Sequence, residues 1–245
     1  MRSLWFGIVV VLLLCVAQIS AAKINIPTNL SAQDRRSALE ILGMGSSMKI
    51  LGDTFPLGGY SGVEFGLTNE VISTAEISRL GAKSPQQGEI SYSVLTFGKG
   101  LYNNLDLFLQ FTPFGQSEEI SNFGAMVRYG FFQGEYLPVH LSLNLHGTST
   151  NFQNLIVANT QGLDLVSGFN VDDVTLYFGA GYLKTQGTFM GGAGGVTSTG
   201  ETLNESLNDT HYLVGLNLKF NKWFLALEIN RYTQPAYSAK VGYRF

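Results

Sequence analysis

Alternation of apolar and polar residues constrains this chain more than any other feature of its sequence. Between Val139 and Leu145 every second residue is apolar, and the residues between them are His140, Ser142 and Asn144. A period of two is the signature of a β-strand with two different faces. The same alternation recurs in many segments along the chain, which predicts an antiparallel, all-β fold.

Composition and hydropathy indicate where these strands lie. Charged residues make up 13% of the chain, whereas soluble domains have about 25%. After Val16 no apolar stretch reaches the roughly 20 residues that a spanning helix needs. A membrane chain without such a helix crosses as a closed barrel, because only a barrel then satisfies every backbone donor and acceptor in lipid. The sequence therefore predicts a transmembrane, up-and-down β-barrel.

The alternating segments predict about ten strands, with eight and twelve as the alternatives. They cover residues 57–68, 89–98, 104–114, 122–131, 138–147, 162–171, 174–183, 210–220, 223–231 and 236–245. Residues 172–173 and 221–222 predict tight hairpin turns at one end of the barrel. Residues 148–161 and 184–209 predict long loops at the other end. An even number of strands places both chain ends on the same side of the membrane.

Residues 1–22 are predicted to be a cleaved export signal. Arg2 precedes an apolar run, and small residues precede a cleavage point after Ala22. Cys15, the only cysteine of the chain, lies in this signal. The mature chain would therefore contain no disulfide and no cysteine metal ligand.

Residues 23–56 are predicted to form a separate segment before the barrel, which covers 57–245. In this segment Ser31 is a candidate N-cap for a short helix from Ala32 to Leu42. Many glycines fall on the inward face of the strands and leave space in the lumen. A ten-strand lumen is only modestly wider than one filled by side chains, so this segment is a candidate plug.

The last strand carries a family resemblance. Tyr237, Ala239, Val241, Tyr243 and Phe245 form an alternating apolar row that ends the chain on phenylalanine. This row resembles the closing-strand assembly signal of Gram-negative outer-membrane β-barrel proteins, and the small Ala239 departs from its strongest form. The resemblance implies recognition by the barrel-assembly machinery. It also implies residence in the bacterial outer membrane, with both termini in the periplasm.

Aromatic residues are predicted to form two belts at the membrane interfaces. The belt near the short connections contains Tyr129, Phe131, Phe169, Phe220, Trp223, Tyr243 and Phe245. The opposite belt contains Phe111, Phe123, Tyr182, Tyr212 and Tyr237.

Strand parity predicts which polar side chains enter the barrel. The candidate lumen-lining residues are Glu64, Asp106, Arg128, His140, Asn144, His146, Asp164, Lys219, Glu228, Lys240 and Arg244. Acidic and basic members of this set are equal in number. One interpretation is an internal network of ion pairs and hydrogen bonds that holds the strands together. The other is a narrow polar pathway for small solutes with little charge selectivity.

Enzymatic activity and metal binding have little support in the sequence. The spacing of Asp209 and His211 is similar to that of the acid and histidine of the omptin proteases, which are ten-strand outer-membrane barrels. Omptins also need a second acidic pair across the cleft, and Asp172 and Asp173 are predicted at the opposite end. His140 and His146 lie about 20 Å apart along one strand, too far to bind one metal. No catalytic residue, metal or cofactor is predicted.

The sequence therefore predicts a monomeric, non-enzymatic barrel that acts as a narrow porin-like channel or as a plugged barrel for small solutes. The alternative is a closed barrel that serves as a membrane anchor, an adhesin or a surface-interaction protein. Outer-membrane lipid, the barrel-assembly machinery and small solutes are the predicted partners. A net charge of −3 argues against nucleic acid as a partner.

Overall fold

A computed structural model describes residues 24–82, 88–113 and 119–245. The predicted export signal lies outside these residues. Within them, ten antiparallel strands close into one barrel, in which each strand pairs with its neighbours in the sequence and the first pairs with the last. The predicted ten-strand, up-and-down barrel with a short N-terminal helix is confirmed.

The strands are β1 (Val63–Ser73), β2 (Glu89–Tyr102), β3 (Leu105–Phe111), β4 (Ile120–Gln133), β5 (Val139–Phe152), β6 (Ile156–Val171), β7 (Val174–Phe189), β8 (Leu203–Phe220), β9 (Trp223–Arg231) and β10 (Pro235–Arg244). Two residues join β2 to β3, β6 to β7 and β8 to β9. We call the end of the barrel with these connections the turn end, and the opposite end the loop end.

Two of the tight turns depend on residues that tolerate a left-handed backbone. Asp172 has a φ of 51° and Asn221 has a φ of 64°. Asp and Asn adopt this conformation more readily than other side chains, so they favour two-residue hairpins between twisted strands. The predicted turns at 172–173 and 221–222 are confirmed.

The prediction of long loops at the other end was wrong in extent, because the strands continue further and the loops are shorter. β5 and β6 continue to a short turn at 153–155, and β7 and β8 leave only residues 190–202 between them. In these extensions the outward positions are polar, for example Asn159 and Gln186. The apolar residues that remain there, such as Ile156 and Phe189, face inward. The outward apolar row that identified the inner parts of the strands therefore ends.

The first strand begins later than its pattern predicts, at Val63 rather than at Leu57. Gly58 and Gly59 have φ values of 93° and 70°, in the left-handed region that favours glycine. They lead into a 3-10 turn, Gly59–Ser61, which brings the chain into β1. At the other side of the closure β10 pairs with β1 from Ile72 opposite Ala236 to Glu64 opposite Arg244.

The segment before β1 occupies the inside of the barrel. Ser31 caps helix α1 (Ala32–Ala38) through a capping box with Asp34, and the helix continues as a π-helix, Leu39–Met44. The predicted helix is confirmed and extends two residues further. Residues 45–62 then run as mostly irregular backbone to the turn end. We call residues 24–62 the lumen segment.

The lumen segment enters at the loop end and leaves at the turn end. Leu30 pairs with Thr197 between β7 and β8, whereas the Leu57 amide donates to Asp106 near the start of β3. An even number of strands does place the start of β1 beside the end of β10. Because the segment crosses the lumen first, however, residue 24 lies at the opposite end of the barrel from Phe245.

Within the described residues, no helix has the length and apolar character needed to span a bilayer.

Candidate functional site in the barrel lumen

All eleven candidate lumen residues have their side chains inside the barrel. Nine of them are buried, with 3% of their surface exposed or less. The other two, Lys219 and Arg244, lie at the turn end and are partly exposed. Strand parity therefore placed these side chains, but it did not reveal what they contact.

At the loop end the lumen is closed by an apolar cluster. Leu30, Leu39 and Leu42 of the lumen segment pack with Phe152 and Phe189 of the wall, and all five are almost fully buried. Contact is close because the helix presents a glycine here. A Cβ atom added at Gly43 would come within 2.6 Å of the Thr185 methyl carbon. This half of the segment is held mainly by apolar packing, to which the ion pair of Arg35 with Glu205 of β8, 2.8 Å apart, is added.

Nearer the turn end, polar contacts accompany small apolar clusters around Ile50 and Leu51, and Glu228 of β9 is central to the polar contacts. Its carboxylate accepts hydrogen bonds from the backbone amides of Ile50 at 3.1 Å and Leu51 at 2.9 Å. It also accepts from the Tyr177 hydroxyl at 2.8 Å. A buried irregular backbone needs such partners, because its amides have no strand or helix neighbours.

Asp53 of the lumen segment is held by basic side chains of the barrel wall. Its carboxylate pairs with Lys219 and lies 3.3 Å from Nη1 of Arg244, and its backbone carbonyl accepts from Arg128. Burial opposes ionisation of Asp53, but Arg244 and Lys219 outweigh it and hold the pKa of the carboxyl below its usual value. Strand parity missed Asp53 because this residue lies outside every strand.

Three further ion pairs stabilise the wall itself. Arg128 of β4 pairs with Asp106 of β3 at 2.8 Å. Glu64 of β1 binds both Lys240 at 2.6 Å and Arg244 at 2.7 Å on β10, across the seam where the barrel closes. These pairs support the interpretation of the lumen as an internal polar network.

Replacing Arg128 with Met is expected to destabilise the barrel by about 3–5 kcal/mol, because the carboxylate of Asp106 would remain buried without its partner. Urea titration of the protein refolded into lipid vesicles measures this loss. The matched control, Arg128→Met with Asp106→Leu, removes both charges and should recover much of the stability. Equal losses in the single and double variants would show that the charge of Asp106 is not the cause.

Asp164 of β6 lies between two histidines. It is 2.7 Å from Nε2 of His211 on β8 and 3.2 Å from Nε2 of His146 on β5. The His211 ring stacks on Tyr232 at 5.2 Å, and the Tyr232 hydroxyl is 2.8 Å from that of Ser47. Strand alternation predicted that His146 and Asp164 face the lumen. His211 was predicted only as a possible protease residue.

The geometry does not assemble the omptin-like site. His211 is bound to Asp164 rather than to Asp209, and it is buried inside the barrel against the ring of Tyr232. Asp172 and Asp173 form the turn between β6 and β7, at the opposite end. The paired acids that the resemblance requires are therefore not near the histidine. Across the described ranges, no three His, Cys, Asp or Glu side chains are arranged to hold a metal ion.

The outer wall carries a band of apolar side chains. On β8 it runs from Tyr212 to Phe220, about 26 Å of strand at ~3.3 Å per residue. With a strand tilt of about 40° this is roughly 20 Å, near the ~25 Å apolar band of outer-membrane barrels. Towards the loop end the outward residues become polar, as at Ser206 and Asn208. The wall thus changes from apolar to polar at one level.

The two predicted aromatic belts are found at the edges of this band. At the turn end the exposed aromatic residues include Tyr129, Phe131, Phe169, Phe220, Trp223 and Phe245, and at the other edge they are Phe111, Phe123, Tyr182, Tyr212 and Tyr237. Exposed rings at two levels are typical of side chains at lipid headgroups.

Comparison with known proteins gives only distant structural likenesses. No family model matches the chain, and no curated protein matches it in sequence. One similar solved structure is Ail, the attachment invasion locus protein of Yersinia pestis, at 14% identity and a TM-score of 0.33, covering 77% of this chain and 99% of Ail.

Two other solved structures are similar to about the same degree. The N-terminal β-barrel domain of Pseudomonas aeruginosa OprF has 13% identity and a TM-score of 0.33, covering 76% of this chain and 99% of that one. A loop deletion mutant of OmpT, an outer membrane protein of Vibrio cholerae, has 13% identity and a TM-score of 0.31, covering 63% of this chain. The chain spans about half of OmpT, 54% of its length.

These neighbours are outer-membrane β-barrels of Gram-negative bacteria, the class that the closing strand resembles. Their TM-scores are too low to carry an argument about the activity of this chain. The assignment of the fold depends instead on the strand pairing and on the closure between β1 and β10.

Proposed function

We propose that this chain is an integral outer-membrane barrel that acts as a narrow channel for small solutes, closed by its own lumen segment. The observation that supports this most strongly is the contrast between the two halves of the segment. The helical half is sealed by apolar packing, whereas residues from Ile50 to Leu57 are held by polar groups of the wall. Water can replace these polar contacts, and Ile50 and Leu51 share only small apolar clusters with the wall, so this half loosens first. The helical half must then follow for the lumen to open.

The proposed location is supported by the apolar band and its two aromatic belts. The unboiled protein should migrate differently from the boiled protein in detergent electrophoresis, because a closed barrel of ten strands resists unfolding by detergent alone. It should also require detergent to stay in solution. Absence of a band shift together with solubility in plain buffer would contradict the proposed location.

Replacing Asp53 with Asn is expected to loosen the lumen segment and to increase channel opening in planar bilayers. The amide cannot neutralise Lys219 and Arg244, which would then repel each other. The matched control is Asp34→Asn, which changes a carboxylate in the exposed capping box of α1, far from this cluster. Equal opening in both variants, or none in either, would contradict the role given to Asp53.

Acid is expected to have the same effect as this substitution. The pKa of Asp53 is lowered in the folded protein, so its contribution is complete above the usual aspartate value of about 3.9 and is lost as the pH falls through the lower, folded value. Opening of the wild-type channel should therefore increase below about pH 4. The Asp53→Asn variant should show a smaller change over the same range.

A closed barrel that serves as a membrane anchor or surface-interaction protein is the second candidate. The dry cluster at the loop end favours it, because such packing is costly to open. The two candidates differ in bilayer recordings, where discrete opening steps support a channel. Complete silence of both the wild type and Asp53→Asn, with intact electrophoretic shifts, would support the anchor. No enzymatic function is proposed.

A further inference from the structure

We propose that the outer wall binds one glycerophospholipid in a groove at the seam where β1 and β10 close the barrel. The groove has a volume of about 660 Å³, within the range of about 300–1,000 Å³ that small-molecule sites occupy. It lies on the face that the proposed function turns toward lipid, so this inference depends on that function. We call it the seam groove.

The shape of the seam groove follows from two rows of outward-facing residues. Trp223, Tyr243, Phe65 and Phe97 lie side by side on four adjacent strands nearer the turn end. Their rings contact in two pairs, with Phe65 and Phe97 centroids 5.0 Å apart and Trp223 and Tyr243 also 5.0 Å apart. The Phe245 ring connects the pairs, 5.9 Å from Phe65 and 4.9 Å from Tyr243. This aromatic row forms a raised rim.

The next row is made of smaller side chains. Val241, Leu67 and Leu95 are neighbours one register step toward the loop end. Gly66 and Gly242, between the two rows, also contribute to the groove surface. Aliphatic side chains beside taller rings leave a trough, and its apolar lining suits an acyl chain rather than a polar ligand.

Two lysines lie just beyond the aromatic rim. Lys222 occupies the turn before β9, and its ammonium nitrogen is 6.0 Å from the centre of the Tyr243 ring. Lys99 lies one register step beyond Phe97, opposite Val63, and also donates to the Tyr60 carbonyl. Among the described outward-facing side chains of β1, β9 and β10, none is acidic.

This arrangement fits a lipid whose phosphate contacts the two lysines and whose acyl chain passes the rim into the trough. The rim lies at the level of the turn-end aromatic belt, where phosphate groups meet the apolar band. The anionic headgroup is recognised by charge, and the chain by burial of apolar surface. Both features are needed, because acyl chains alone can contact any part of the band.

Fluorescence of Trp223 gives a direct test. The chain has two tryptophans, and Trp5 lies in the predicted export signal, so a Trp5→Phe background leaves Trp223 as the single emitter in the rim. Phosphatidylglycerol with brominated acyl chains is titrated into the protein in detergent. We expect saturable quenching at about one lipid per chain, whereas linear quenching without saturation would overturn the proposal.

Variants separate the two parts of the site. Leu67→Phe fills the trough and should weaken quenching, whereas Leu165→Phe, which adds the same ring at an exposed position on β6, should not. Lys99→Gln with Lys222→Gln should weaken binding of brominated phosphatidylglycerol by roughly tenfold, the scale of lost charge-assisted contacts. Binding of brominated diacylglycerol, which has no phosphate, should not change.

Equal effects of Leu67→Phe and Leu165→Phe would overturn the groove, and equal loss for both lipids would overturn the role of the lysines. Each variant is first checked for the electrophoretic band shift. A wild type that shows the shift but no saturable quenching contradicts this inference and leaves the proposed membrane location intact. A wild type without the shift contradicts the location itself.

Discussion

Deletion of residues 24–56 is expected to convert a protein that is almost silent in planar bilayers into one with discrete, long-lived conductance steps. The strands keep their backbone pairing without this segment, because β1 begins at Val63. Charged side chains such as Glu228 and Arg128 would lose their partners in the segment, but they would face water in an open lumen. Hydrated charges do not carry the penalty of buried ones.

A smaller deletion provides the graded comparison. Removing Ala32–Leu42 takes away the apolar seal but leaves Asp53 and the backbone that binds Glu228. We expect smaller or shorter openings than after deletion of 24–56. Both deletion proteins must show the electrophoretic band shift before they are recorded. Conductance equal to that of the wild type after deletion of 24–56 would contradict the proposal that this segment closes the lumen.

Placing an arginine in the middle of the apolar band is expected to destabilise the barrel strongly, because the charge would face lipid. Phe178 is the central outward residue of β7 in the band and is 60% exposed on the barrel surface. An arginine at the midplane of the membrane costs about 2–4 kcal/mol in outer-membrane barrels. Urea titration of folding into lipid vesicles measures the free energy of unfolding of Phe178→Arg.

Two controls isolate the cost of the charge. Phe178→Ala removes the ring without adding a charge, and the difference between the two variants gives the cost of the arginine. Gln186→Arg places the same charge on the same face of β7, eight residues further toward the loop end, where the wall is polar. It should change stability by no more than about 1 kcal/mol. Equal losses at 178 and 186 would show that the band does not face lipid.

The fold was largely predictable because one face of each strand had to be apolar. Trp223–Arg231 matches its predicted strand to the residue, since the alternation continues along its whole length and tight turns limit it. Prediction failed where the outward face is polar. At 184–189 and 203–209 the chain is still β-strand, but Lys184 and Gln186 face outward without an apolar band to mark them.

Only the residues that the barrel wall contributes to the candidate site were predictable from the sequence. Parity placed residues such as Glu228 inside, because side chains alternate along a strand. It gave no information on the partners of those residues, since Asp53 and the amides of Ile50 and Leu51 belong to irregular backbone without a period. Acidic and basic residues were already equal in number among the wall candidates. No excess charge therefore indicated that Asp53 was missing.

A reversible cross-link between the lumen segment and the wall tests the central claim most directly. A Cβ atom at Gly43 would lie 3.2 Å from Cβ of Ala158, close to the roughly 3.5–4.5 Å of a disulfide. Cysteines at both positions, with Thr185→Ser to remove the methyl group that crowds residue 43, give a tether in a mature chain that is predicted to have no other cysteine. Conductance is recorded below about pH 4, before and after reduction.

The proposed mechanism predicts silence while the tether is oxidised and discrete openings once it is reduced. Equal conductance in both states would show that solutes do not need the segment to move. Silence in both states, from a protein that still shows the electrophoretic band shift, would contradict a channel that its own segment opens and closes.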